Sequence, residues 1–154
     1  MIVKLSLQDP DIVEQLWSLQ HTAYRLEAET VGLKDCPPLP DTFDSIRRSR
    51  DEFFGSLSEE RELLGAIAVV SEIPGTLDIT RLMVHSDHLR QGIGGSLLRY
   101  VLQNYEGTRT FNVIASTLNP PAVSLYRGYG FVPIKTLPSA AGIELTLFRL
   151  EQDH

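Results

Sequence analysis

The run from Leu77 to Tyr100, Leu-Asp-Ile-Thr-Arg-Leu-Met-Val-His-Ser-Asp-His-Leu-Arg-Gln-Gly-Ile-Gly-Gly-Ser-Leu-Leu-Arg-Tyr, constrains this chain more than any other stretch. Leu77, Ile79, Leu82 and Val84 are strand-favouring apolar residues set among polar ones. After them, Ile93, Leu97, Leu98, Val101 and Leu102 recur at helical spacing. Between the two patterns stand Arg90, Gln91, Gly92, Gly94 and Gly95. A helix start leaves backbone N–H groups unpaired, and the helix dipole makes that end positive. Glycine lets an anion approach the backbone with no Cβ in the way. A strand that feeds such a turn is therefore a ready phosphate or pyrophosphate site, with Arg90 adding charge at its rim. The same glycines would also serve a turn that binds nothing. Two phosphate loops are excluded by spacing. Ser96-Leu97 follows the last glycine, where a P-loop needs Lys and Ser or Thr. Leu97 occupies the third-glycine position of a dinucleotide fingerprint.

A second segment narrows the choice. Asn119-Pro-Pro-Ala-Val-Ser-Leu-Tyr-Arg-Gly-Tyr-Gly-Phe131 matches the pattern Asn-x-x-Ala-x-x-Leu-Tyr-x-x-x-Gly-Phe. Taken with Val84-His85 and Gly92-x-Gly94, it resembles the GNAT superfamily of acyl-CoA-dependent N-acyltransferases. The resemblance covers roughly residues 63–132. It implies an α/β (α+β) fold with a mixed, mostly antiparallel central sheet of about seven strands and about four flanking helices. Two central strands, near Leu82 and Val113, would splay into a V-shaped cleft. The resemblance also implies acetyl-CoA as co-substrate and no metal. Backbone N–H groups from Arg90, Gln91, Gly92, Ile93, Gly94, Gly95 and Ser96 would hold its pyrophosphate. The main chain of Leu82, Met83 and Val84 would pair with the pantetheine arm, and an N–H near Val84 would face the oxyanion. Asn119, Ala122, Leu125 and Tyr126 fall on the cofactor side. One departure is Leu89, where the family usually carries Arg or Gln.

The implied reaction moves an acetyl group from the thioester to an amine by direct attack. Alkylamines have a pKa of about 10, so the amine must shed a proton. Asp78, six residues before Val84, is the candidate base, acting directly or through water. With period two it shares a face with Thr80, Leu82 and Val84 unless a bulge intervenes. Glu27 and Tyr24 are fallbacks. Tyr126 matches the family's general acid, which protonates the departing thiolate. The alternative is an acyl-CoA-binding sensor or subunit that has lost transfer. His85 and His88 would need further ligands to hold a metal, and Cys36 has no His or Cys at ligand spacing.

Composition bounds the rest. With 154 residues, the chain is expected to form one domain, residues 1–154. A net charge of −6 argues against a nucleic-acid surface and permits a cationic acceptor. One cysteine, no signal-peptide pattern and no membrane-length apolar run lead us to expect a cytoplasmic protein that binds no membrane. The acceptor, a small-molecule amine or a protein amine, is left unnamed. Its specificity would come from residues 23–40 and 136–142. A homodimer is admitted without a stripe to mark it.

Along the chain, Ile2 to Leu7 reads as a short strand. Asp9 and Pro10 open a helix whose inward stripe is Ile12, Leu16, Leu19, Ala23 and Leu26. Trp17, His21 and Tyr24 lie on its other side. Asp41 is expected to cap a second helix with Phe43 and Ile46 inward. Strands are expected at 52–57, 63–70, 110–116, from Phe131, and at 143–150, with Asn119 and Pro120 opening the last helix.

Overall fold

A computed structural model describes residues 1–30, 42–88, 91–117, 119–138 and 144–152. Strands β1 (Ile2–Lys4), β2 (Glu52–Leu57), β3 (Leu63–Val70), β4 (Thr76–Val84), β5 (Thr110–Ser116), β6 (Val132–Pro138) and β7 (Glu144–Glu151) form one sheet. Their spatial order is β1-β2-β3-β4-β5-β7-β6. Every neighbouring pair is antiparallel except β4 and β5. That parallel pair needs a crossover, which helix α3 (Ile93–Asn104) supplies. Helices α1 (Pro10–Thr30), α2 (Phe43–Arg47) and α4 (Pro120–Gly128) complete the architecture.

The sheet is buried on both faces near its middle, which explains the unbroken apolar run of β3. On one face Leu97, Leu98 and Val101 of α3 pack against Ile67, Val69, Ile79 and Phe111, and Tyr126 of α4 joins them. On the other, Val13, Leu16 and Leu19 of α1 and Ile46 of α2 pack against Phe53, Ala66, Ala68 and Met83. Each helix thus covers the sheet with one stripe, and α1 and α3 never share a face.

Several boundaries differ from the sequence reading. β1 ends at Lys4, because its pairing with β2 spans only Ile2 to Lys4 before the chain turns into α1. Leu5 stays buried, and its N–H donates to the Phe53 carbonyl at 2.8 Å. The buried stripe of α1 is centred on Val13, Leu16 and Leu19, while Ile12 and Ala23 are only half-buried. The side chains of Leu26, Tyr24 and Glu27 lie outside the described residues, as do Cys36 and Asp41. Trp17 and His21 stack with centroids 5.6 Å apart on the outer side of α1. Thr42 caps α2, exchanging hydrogen bonds with Ser45 at 3.1 and 2.7 Å. Phe43 is 38% exposed and Ile46 is fully buried, since so short a helix presents one position to the core.

Past the C-terminal end of α3, Tyr105 packs edge-on against Phe54 and its hydroxyl donates to the Glu52 carboxylate. Burial first, and then Glu52, raise the phenol's pKa above its ordinary value. The folded state therefore holds this proton where the unfolded chain releases it, and stability falls as pH rises past about 10. The Tyr105→Phe variant should show a smaller loss of urea midpoint between about pH 9 and pH 11 than the parent. Leu97 has no exposed surface. Leu97→Ala should cost about 2–5 kcal/mol by urea denaturation at neutral pH.

Candidate active site

The site begins where two strands part. β4 and β5 pair from Thr76↔Thr110 to Ile79↔Val113 and no further, although β4 continues to Val84 and β5 to Ser116. Beyond that point a cleft of about 260 Å³ opens. Its walls are β4 from Ile79 to Met83 and β5 from Val113 to Ala115. Asn119, Ala122 and Tyr126 of α4 close one side, and Gln20 and Ala23 of α1 border the other.

The backbone of β4 faces this cleft in alternation. The His85 N–H donates to the Leu64 carbonyl of β3 at 2.8 Å. Successive strand residues turn their backbone groups to opposite edges. Met83 therefore also turns toward β3, consistent with its carbonyl lying 3.0 Å from where a Cβ on Gly65 would stand. Leu82 and Val84 turn their N–H and C=O groups to the cleft. Of the three residues expected to pair with a ligand, Met83 is thus directed away.

Beside the end of β4 stands the N-terminus of α3. Gly92 precedes it with φ of 79°, a left-handed conformation that a side chain would strain. The Ser96 N–H is the first to close the helical ladder, on the Gly92 carbonyl at 2.9 Å. The N–H groups of Ile93, Gly94 and Gly95 precede it and have no carbonyl within the helix. A Cβ on Gly94 would touch Leu125 and Val84 at 3.6 Å, so this turn sits directly between α4 and the end of β4. Gln91 is exposed, its amide oxygen 3.1 Å from the His88 Nδ1. Leu89 and Arg90 lie outside the described residues. His85 accepts the Asp87 N–H on Nδ1 at 3.1 Å. Among the described residues, no three His, Cys, Asp or Glu side chains gather to hold a metal ion.

Tyr126 is 5% exposed. Phe131 and Phe148 tilt against its ring at 5.8 and 6.0 Å, and the remaining side borders the cleft. A phenol so braced has one orientation to offer. Asn119 occupies the N-cap of α4, yet its side chain makes no capping hydrogen bond and it lines the cleft.

Asp78 is placed differently from the period-two expectation. A bulge shifts the β3–β4 register, so that Val69 pairs with Ile79 but Ala68 with Arg81. Thr80 is the extra residue. Asp78 therefore shares a face with Arg81 and Met83, toward α1, and not with Leu82 and Val84. It is half-buried directly below the vertex of the V, accepts a hydrogen bond from the Asn112 amide at 3.2 Å, and does not line the cleft. The bulged Thr80 hydroxyl donates to Asp51 at 2.6 Å, and Arg81 pairs with the same carboxylate oxygen at 2.7 Å. The Arg81 guanidinium also lies over the Phe53 ring, 5.1 Å from its centroid. Sequence reasoning did not reach these partners, because Asp51 is separated from Thr80 by a whole hairpin.

Tyr129 was likewise missed. Its hydroxyl donates to the Gly95 carbonyl at 3.0 Å and accepts from Arg99 at 3.2 Å, tying the first turn of α3 to the end of α4. The only sequence signal was an aromatic between Gly128 and Gly130.

Comparison with known proteins bears on this geometry. A family profile described as an acetyltransferase (GNAT) domain matches residues 22–152. The chain belongs to the GNAT acetyltransferase family. Its seven-stranded mixed sheet with parted central strands is the family fold. The ribosomal-protein-S18-alanine N-acetyltransferase from Escherichia coli superposes with a TM-score of 0.76 at 16% identity, over 98% of this chain and 92% of that one. The PaiA N-acetyltransferase from Thermoplasma acidophilum, solved in complex with coenzyme A, superposes with a TM-score of 0.71 at 17% identity, over 99% and 98%. The UPF0157 protein YqkA from Bacillus subtilis (strain 168) is 33% identical over 150 residues, 97% of this chain but 43% of YqkA. The chain thus spans less than half the length of that relative. No helix among the described residues is long and apolar enough to cross a membrane.

Gly92→Ala should lower stability by about 1–2 kcal/mol through its left-handed backbone. Gly107→Ala, where a Cβ meets nothing within 4 Å, is the control, with a change within about 0.5 kcal/mol. Urea midpoints of the two variants check the difference.

Proposed function

We propose that this chain moves an acetyl group from acetyl-CoA to a primary amine by direct attack on the thioester. The observation that carries the reading is the order of parts along one cleft. Leu82 and Tyr126 line it, and the N–H groups that open α3 stand next to Val84, two residues further along β4, and to Leu125 of α4.

Each part has a task. The N–H groups of Gly92, Ile93, Gly94 and Gly95, with Arg90 and Gln91, hold the pyrophosphate, as helix starts do, whereas the Ser96 N–H is engaged by the Gly92 carbonyl. Leu82 and Val84 extend the sheet by pairing with the pantetheine amides, and a β4 N–H donates to the carbonyl oxygen as it gains charge. Ala122 and Leu125 give an apolar wall beside the arm, and the uncapped Asn119 amide offers a donor to it. The amine nitrogen, once neutral, forms its bond to the carbonyl carbon, the carbon–sulfur bond then breaks, and the nitrogen gives its remaining surplus proton to water, from which the Tyr126 phenolate is reprotonated. Asp78, on the α1 side of the vertex, takes the ammonium proton through water. Tyr126 gives its phenolic proton to the leaving sulfur. A phenol of pKa about 10 protonates a thiolate of about 8.5 uphill by little, and the hydrogen bond strengthens as charge arrives.

Titration calorimetry with acetyl-CoA, free CoA and 3′-dephospho-CoA tests the site, and thiol release with a panel of amines tests the reaction. One-site binding is expected, and Gly94→Val should weaken it, since branches on that Cβ run into Leu125 and Val84. Tyr126→Phe should lower kcat by about 10²-fold or more at neutral pH, with acetyl-CoA affinity within about twofold of the parent. An unchanged kcat would remove Tyr126 from the mechanism. Saturable binding with no amine consumed would instead mark a sensor of acyl-CoA on the same fold.

A further inference from the structure

A polar row crosses three strands immediately below the cleft. Asp78 of β4 lies opposite Asn112 of β5, and Asn112 lies opposite Arg149 of β7. The Asn112 amide N–H donates to Asp78 Oδ1 at 3.2 Å, and its carbonyl oxygen accepts from Arg149 Nε at 2.9 Å. These two partners set the amide's orientation, because the reverse would point N–H at guanidinium and oxygen at carboxylate.

The row faces away from α3 and α4. Phe111 and Val113 turn to the α3 core, so Asn112 and Ile114 turn to the face that α1 covers. The α1 core packing involves Ala66 and Ala68 of β3 and Met83 of β4, while Ile114 of β5 is 52% exposed and Val132, opposite Arg149 on β6, is 54% exposed. With the α3 N-terminus and α4 on the other face, an acceptor that approaches opposite the proposed cofactor meets this side. Ile114, the next residue on that face, lies about 7 Å along the strand from Asn112 and lines the cleft.

Each end of the row keeps capacity to spare. Among the described residues, the second Asp78 oxygen and the two terminal Arg149 nitrogens take no partner beyond the contacts above. A carboxylate and a guanidinium therefore stand on one ledge, the width of one amide apart, with the carboxylate nearer the vertex. The geometry points to an acceptor that carries its own carboxylate: a free amino acid, its amine toward Asp78 and the cleft, its carboxylate on the Arg149 fork. A polyamine would set a second ammonium against Arg149. A peptide N-terminus would present a neutral amide there. The inference rests on the acetyl-transfer reading for its amine and on the row alone for its acid.

The test compares free L-amino acids with their α-carboxamides, and with spermidine, by thiol release from acetyl-CoA. At least one amino acid should be consumed with kcat/KM about tenfold or more above its amide, as expected of a hydrogen-bonded charge pair. The amide's amine is the less basic and has the larger neutral fraction, so chemistry alone predicts the opposite preference. Arg149→Gln should bring the acid-over-amide ratio toward one, and Arg149→Lys should restore part of it. A parent enzyme that turns over amides or spermidine at least as well as every amino acid would overturn the assignment while leaving acetyl transfer standing. Where no amine is consumed, calorimetric titration of the amino acids into the parent protein, with and without CoA, decides alone. Acid binding without amide binding would keep the row and remove transfer. No acid binding would remove the row.

Discussion

The parting of β4 from β5 after Ile79↔Val113 is the constraint on which the site depends. Two parallel strands held together at one end and released at the other expose main-chain donors and acceptors that a sheet would otherwise consume. The protein tolerates this because the released edges face a cleft that an extended ligand can fill as a strand. The pair is held at its base by apolar residues on the α3 face, Leu77, Ile79, Phe111 and Val113, and by the Asp78–Asn112 hydrogen bond on the other. Tyr126 and Phe148 fill the space beside β5 on the α3 face. The wedge between the strands is thus bounded by rigid packing and not by loops.

The two faces of the sheet divide the labour. The glycine turn, α3 and α4 lie on one face, tied together by Tyr129 between Gly95 and Arg99. α1 lies on the other, where the bulge at Thr80 rearranges β4. Without the bulge, Asp78 would stand on the face of Leu82 and Val84. With it, the carboxylate joins Arg81 and Met83 on the α1 side. One inserted residue therefore moves an acid from the α3 face of the sheet to the α1 face, a consequence of the two-residue period of a strand. The same bulge leaves the Thr80 hydroxyl free of the ladder's pattern and lets it share the Asp51 carboxylate with Arg81.

Much of this was legible in the residues. The glycine turn, the helix that follows it, and the Asn119-to-Phe131 segment are local patterns, and local patterns survive folding when propensity and burial agree. The strands at 52–57, 63–70 and 110–116 were readable for the same reason: apolar, β-favouring runs bounded by turn residues. Where the reading slipped, the cause was tertiary. α1 buries Val13 more deeply than Ile12, because the stripe that meets Phe53, Ala66, Ala68 and Met83 is Val13, Leu16 and Leu19. The apolar pattern of α2 offers both Phe43 and Ile46 to the core, yet a five-residue helix has room for one, and Ile46 takes it.

The sequence by itself determined the kind of fold, its glycine turn and its last helix, because a glycine-opened helix after a strand, and a helix opened by Asn119 and Pro120 and carrying Tyr126, are each encoded within a dozen or so contiguous residues. Only the tertiary structure decided which polar residues meet on the α1 face of the sheet. Asp51 beside Thr80 and Arg81, and Asp78 beside Asn112 and Arg149, are brought together by strand register across the sheet. Register is a property of paired strands: a single bulge reassigns faces along the strand that carries it, and no window of sequence around Asp78 contains that information.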